Sequence, residues 1–215
     1  MAIKPILFNT EMVRAILDRR KVCTRRIIKP QPTGEYATIL AEIAPYQPGD
    51  ILYVRETFAW CPCWDCGFDT IPNGCRNPVI YDSKKREHGC YMYRASCEDN
   101  EYPSADTWHP SIHMPKEVAR IWLKVTDVRV ERLQSITEGG AIREGAEGEK
   151  CHHTNTGAFG CTDCMNTGWI EPPQVEFMQI WNSTIKKSDI DRYGWDANPW
   201  VWVIEFERCE KPEGV

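Results

Sequence analysis

Apolar side chains recur at helical spacing behind Thr10. Val13, Ile16 and Leu17, with Met12 beside them, give TEMVRAILDRR one apolar face, and Thr10 suits its N-cap. At Val22 the pattern changes to β-branched residues (Val22, Thr24, Ile27, Ile28), which predicts a strand or extended segment. Residues 31–50, punctuated by Pro and Gly, read as a connection ending in a turn. ILYVRETFAW, 51–60, alternates, with Leu52 and Val54 on one side and Tyr53 and Arg55 on the other. CYMYRAS returns to strand character after an irregular stretch. The clearest strand is ARIWLKVTDVRVERL, 119–133, where Ile121, Leu123 and Val125 alternate with polar neighbours. It is long enough to bend or bulge within a small barrel. Thr137 predicts a capped helix over EGGAIREG. PPQVEFMQIWNSTI predicts a second helix opened by proline, with Phe177, Ile180 and Trp181 turned inward. PWVWVIEFERC closes as a strand with Trp200 and Trp202 on one face. These elements predict an α+β fold on a small β-barrel, one domain over 1–215 with insertions at 61–90 and 146–172.

With 42% hydrophobic and 11% aromatic residues, the chain should bury a core rather than stay disordered. No apolar run approaches the ~20 residues that cross a bilayer. MAIKPILFNTEMV lacks the apolar stretch of a secretion signal, so a cytoplasmic protein with no membrane partner is expected. The net charge of −5 argues against a general nucleic-acid coat. Its distribution changes that picture. Between Thr10 and Pro30 stand seven basic and two acidic side chains, a local +5, so −10 resides elsewhere. A focused basic patch favours a small anion or a short nucleic-acid segment.

Eleven cysteines, clustered and odd in number, point to metal ligands more than to disulfides. In the downstream insertion Cys161 and Cys164 form a C-x-x-C knuckle; Cys151 with His152 or His153 would complete a tetrahedral zinc site. Upstream, Cys63 and Cys66 form a second knuckle, with Cys75 and either Cys90 or Cys61 closing an all-thiolate site. One or two structural zinc ions are expected, ordering loops too poor in apolar periodicity to order themselves.

Four blocks, PILFNTEMVRAILDRRKVCTRRIIKP, PGDILYVRETFAW, HPSIHMPKEVARIWLKVTDVRVERLQSITEGGAIREG and NPWVWVIEF, together resemble the ASCH-domain family. That family is a PUA-like barrel group, and the similarity is to its phage and prophage members. It covers roughly 4–60, 91–145 and 173–207, leaving the two cysteine-rich blocks as insertions. The resemblance implies binding of RNA or a modified nucleoside or nucleotide. Small bacterial members include an acetylcytidine amidohydrolase, whose catalytic lysine, threonine and glutamate match Lys21, Thr24 and Glu144. The glycine and threonine that usually flank that lysine are Arg20 and Val22 in this chain. A phage origin would place the protein in the bacterial host cytoplasm.

Amide hydrolysis needs a nucleophile, a proton acceptor and oxyanion donors. Thr24 offers a hydroxyl, Lys21 an amine that cationic neighbours would tune, and Glu144 a carboxylate to shuttle a proton. Arg25, Arg26 and Lys29 suit phosphate contacts. Tyr53, Arg55, Glu56 and Trp60 suit base stacking and base-edge recognition. Cys23, beside the basic cluster, is a second nucleophile if its thiol is acidified and an inert buried thiol if not. Two other functions fit the same residues: a non-catalytic reader of RNA or modified bases, and a zinc-containing module that binds a host protein.

Overall fold

The computed structural model describes residues 1–32, 40–62, 80–83, 87–97, 108–152, 161, 164–165 and 167–214. In chain order it begins with β1 (Ile3–Leu7), α1 (Thr10–Leu17), β2 (Cys23–Ile27) and β3 (Ile51–Arg55). There follow β4 (Phe58–Pro62), β5 (Ile80–Asp82), β6 (Glu87–Tyr93) and the long β7 (Trp122–Arg132). The last part carries α2 (Glu138–Arg143), β8 (Glu149–Lys150), β9 (Trp169–Glu171), α3 (Pro173–Thr184), α4 (Ile190–Tyr193) and β10 (Trp200–Cys209). The fold is α+β. Its largest sheet has the strand order β1-β3-β7-β10-β2, an open order rather than a closed barrel among the described residues.

The described residues gather into two compact units. The first comprises 1–17, 51–123 and 208–215; the second comprises 18–50 and 124–207.

In the first unit β1 runs parallel to β3 from Ile3 opposite Ile51 to Leu7 opposite Arg55. Pro5 is tolerated in β1 because that strand ends the sheet order, where a missing N–H breaks no second ladder. The alternation in β3 is as the pattern predicts: Leu52 and Val54 are fully buried, Tyr53 and Arg55 half-buried. Helix α1 starts where expected, but its cap is Asn9, whose Oδ1 accepts from Met12 N–H at 2.8 Å. A side-chain oxygen three residues back is the usual N-cap geometry, so Thr10 becomes the first helical residue. β4, β6 and β5 form a separate antiparallel sheet. Gly89 is required there, because a Cβ at that position would lie 2.4 Å from Trp60 Cζ2 and 2.6 Å from the Cys61 carbonyl oxygen.

In the second unit β2 pairs antiparallel with β10, Thr24 opposite Ile204 and Arg26 opposite Trp202. The core on one side of that pair holds Val201, Val203, Leu133, Ala141, Phe177 and Trp181. Phe177 and Trp181 come from α3, four residues apart on its buried stripe. Thr137 caps α2 as predicted, its hydroxyl oxygen accepting from Gly140 N–H at 3.1 Å. The basic stretch after α1 is not helical: α1 ends at Leu17, and Arg19 takes a left-handed φ of 63° that turns the chain toward β2.

Candidate functional site

Period-two alternation sorts the residues of β2. Cys23 and Arg25 share the face of Val201 and Val203; Thr24 and Arg26 share the opposite face, with Ile204 and Trp202. Lys21 precedes the strand, and its neighbour Val22 donates its N–H to the Arg143 carbonyl at 2.9 Å. That bond fixes the approach to β2 against the end of α2. Glu144 is the C-cap of that helix, its N–H still bonded to the Gly140 and Ala141 carbonyls at 3.1 Å.

The two anchored ends bring Lys21 and Glu144 together. Lys21 Nζ donates to Glu144 Oε2 at 2.5 Å and to the Glu144 carbonyl at 2.9 Å. Their side chains are 1% and 5% exposed, so this ion pair is almost wholly out of water. Arg25 joins from β2, Nη1 donating to Glu144 Oε1 at 3.2 Å and Nη2 to Glu131 Oε2 at 3.3 Å. Its guanidinium also lies 5.8 Å from the Phe177 ring centre, while its Nε is buried with no hydrogen-bond partner. Glu131 accepts from Arg129 Nε at 2.5 Å, and Arg129 donates onward to Glu205 and Asp127. Arg143 closes the chain of charges by donating to Glu205. Four cations and four carboxylates thus form one continuous, balanced network.

Electrostatics follow from that arrangement. Burial works to raise the Glu205 carboxyl, but hydrogen bonds from Arg129 and Arg143 outweigh it and hold the group below the usual range. The Cys23 thiol goes the other way. Burial first, and then the Glu144 charge, push it up to about 12, against the lowering effect of Lys21, Arg25 and Arg143. The acidified thiol is therefore overturned, and Cys23 is the inert buried alternative. Arg26 is half-buried, and burial lowers its guanidinium from the ordinary value despite Tyr46 and Glu144.

The other base-recognition candidates lie in the first unit. Glu56 is 1% exposed and bonded through both oxygens by Arg120, at 2.9 and 3.0 Å. Arg120 in turn stacks 4.0 Å from the Tyr93 ring centre and donates to Ser96 Oγ at 2.8 Å. Trp60 is 9% exposed, edge-on to Tyr91 at 5.2 Å and covered by Gly89. Tyr53 packs beside Trp122, and Arg55 donates to the Ile112 carbonyl. Lys29, in the second unit, is exposed and sits 4.4 Å from the Tyr193 ring centre.

Three cysteines of the downstream insertion converge. The sulfurs of Cys151, Cys161 and Cys164 all lie within 4.8 Å of one another, Cys151 and Cys161 at 3.5 Å. The β8–β9 hairpin frames them, with Cys151 N–H bonded to the Gly168 carbonyl at 3.0 Å. Tetrahedral thiolates about 2.3 Å from a metal stand about 3.8 Å apart, so these three fit one ion. His152 is exposed and outside that cluster, and His153 lies outside the described residues. Upstream, Cys63, Cys66 and Cys75 lie outside the described residues. Cys61 and Cys90 face each other across β4 and β6, buried with Met92 and Cys97 beside Trp108.

Glu131, Arg129 and Glu205 escaped the sequence reading, as did Arg120. A signal existed for the first two: in TDVRVER the charges Asp127, Arg129 and Glu131 alternate on one side of a strand. Comparison with family models, curated proteins and solved structures finds no match. No helix among the described residues is long and apolar enough to cross a membrane.

Proposed function

We propose that this chain is an ASCH-type, PUA-like protein that binds RNA or a modified nucleoside beside β2. In this reading it removes an acyl group from a cytidine-like base, with Lys21, Thr24 and Glu144 carrying the chemistry. The observation that supports it is the contact between Lys21 Nζ and the Glu144 carboxylate, two residues 123 positions apart that meet in a nearly dry site. A carboxylate and an amine held in such contact can pass a proton between a nucleophile and a leaving amine. The Cys151, Cys161 and Cys164 cluster would hold a structural zinc, with a histidine of the same insertion as fourth ligand.

Incubation of the full chain with acetylcytidine should release cytidine, and Glu144→Gln should abolish the release. If a preparation that binds the nucleoside never turns it over, the hydrolase reading fails. A binding-only function then takes its place. It draws support from β2, where Thr24 faces away from Arg25, the residue that holds Glu144. That alternative predicts binding that persists in Thr24→Ala and weakens in Arg26→Ala as salt is raised. Failure to bind nucleoside or oligonucleotide at moderate salt would favour a host-protein partner instead.

A further inference from the structure

The second unit also carries a cleft of about 720 Å³ whose walls include Lys29, Pro30, Ile43, Pro45 and Trp202. That volume falls in the range of small-molecule sites. Among the described residues its lining is apolar but for Lys29 and Gln31, and none of them is acidic. Gln31 is already committed. Its Nε2 donates to the Ile28 and Trp200 carbonyls at 2.7 and 3.1 Å, and its Oε1 accepts from Trp200 N–H at 2.7 Å. Lys29 is the one charged side chain of the described lining, its ammonium steadied by the Tyr193 ring. Across the β2–β10 pair, Arg26 stands directly opposite Trp202 on the same face, which places a second cation beside this wall. A flat indole and proline rings suit an aromatic base; an ammonium with no acidic neighbour among the described lining residues suits a phosphate.

We infer that this cleft seats a nucleoside monophosphate, free or as the end of an RNA strand, with the base on the Trp202 and Pro45 wall and the phosphate on Lys29. The inference rests on the nucleotide-binding reading above and adds the phosphate as a recognised group. It also moves phosphate recognition from Arg25, which the carboxylates occupy, to Lys29.

Calorimetric titration of the full chain with cytidine monophosphate, cytidine and inorganic phosphate tests it. The monophosphate should bind about fivefold or more tighter than cytidine, a gap on the scale of one exposed charge contact. Lys29→Gln should close that gap, and Ile43→Asp, at an exposed rim position, should weaken the monophosphate more than cytidine. A short RNA carrying a terminal phosphate should compete if the natural ligand is a strand end, and fail to compete if it is the free nucleotide; either result keeps the cleft as the seat. Equal affinity for monophosphate and cytidine overturns the inference, as does phosphate alone binding as well as the monophosphate. Binding that survives both cleft substitutions but is lost in Glu144→Gln places the ligand at the Lys21 cluster, overturning this inference alone. Absence of binding by all the nucleosides and nucleotides removes both readings.

Discussion

Glu144 serves two cations at once: one carboxylate oxygen accepts from Lys21 at 2.5 Å, the other from Arg25 at 3.2 Å. The two cations therefore depend unequally on it. Removing Lys21 leaves Glu144 still paired with Arg25, whereas removing the Glu144 charge strips Lys21 of its carboxylate partner and Arg25 of one of two. Breaking a buried pair from one side costs about 3–5 kcal/mol. Glu144→Gln should therefore destabilise more than Lys21→Met, lowering the melting temperature by on the order of 10 °C. The double variant Lys21→Met with Glu144→Gln should be less unstable than the sum of the two. Thermal unfolding of all three proteins measures this; strict additivity would mean that the pair is not coupled.

Cys23 should be silent toward alkylation. A thiol held near 12 carries almost no thiolate at pH 8, and it is 2% exposed. Iodoacetamide labelling read by peptide mass spectrometry should leave Cys23 unmodified in the folded chain and modify it in urea. The sign of the linked stability follows. Above the ordinary thiol pKa of about 8.5 the unfolded chain loses this proton and the folded chain keeps it, so the Cys23 contribution falls as pH rises. Cys23→Ser should flatten the alkaline limb of a stability profile; an unchanged limb would count against the buried thiol.

Glu205 acts at the opposite end of the pH scale. Its folded carboxyl lies below the unfolded value of about 4.3, so its stabilisation is present above that pH and is lost as pH falls through the depressed folded value. Urea midpoints measured at pH 5, 4 and 3 should decline less steeply in Glu205→Gln than in the parent. Equal slopes would show that Arg129 and Arg143 do not hold the carboxylate in solution.

The three clustered cysteines make a prediction about metal content. The purified chain should carry zinc, and Cys161→Ser or Cys164→Ser should remove at least one ion per chain. Hydrogen exchange should then rise in the β8–β9 hairpin, because the ion's binding free energy orders that segment. His152→Ala and His153→Ala, compared side by side, identify the fourth ligand by which one loses zinc. Full zinc retention in both cysteine variants would remove the site.

The elements with strong periodicity were readable in advance. Val13 with Ile16, Leu52 with Val54, and Ile121 with Leu123 and Val125 are buried as their spacing requires. β1 was not, because IKPIL is short and carries a proline that only a strand at the end of the sheet order tolerates. The cap of α1 slipped by one residue because Asn9 and Thr10 are both good caps, and only geometry decides between them. The basic run after α1 read as an anion-binding patch around Lys21 and Thr24. Its interior members are buried because carboxylates from β7 and the end of α2 arrive to meet Arg25 and Lys21, and pairing over more than a hundred positions leaves no local trace. Division of the described residues into two compact units, each assembled from separated stretches, is likewise invisible to a reading along the chain.

The balanced network around Arg25 also bears on how the protein would sense ionic strength. Lys21, Arg25, Arg129 and Arg143 are already neutralised by protein carboxylates, so they hold no condensed counterions to exchange against a polyanion. The local excess of +5 in the sequence therefore overstates the charge that a nucleic acid would meet. Whatever strand binds this unit should show a shallow logarithmic salt dependence, closer to one or two phosphate contacts than to the six basic residues of 19–30.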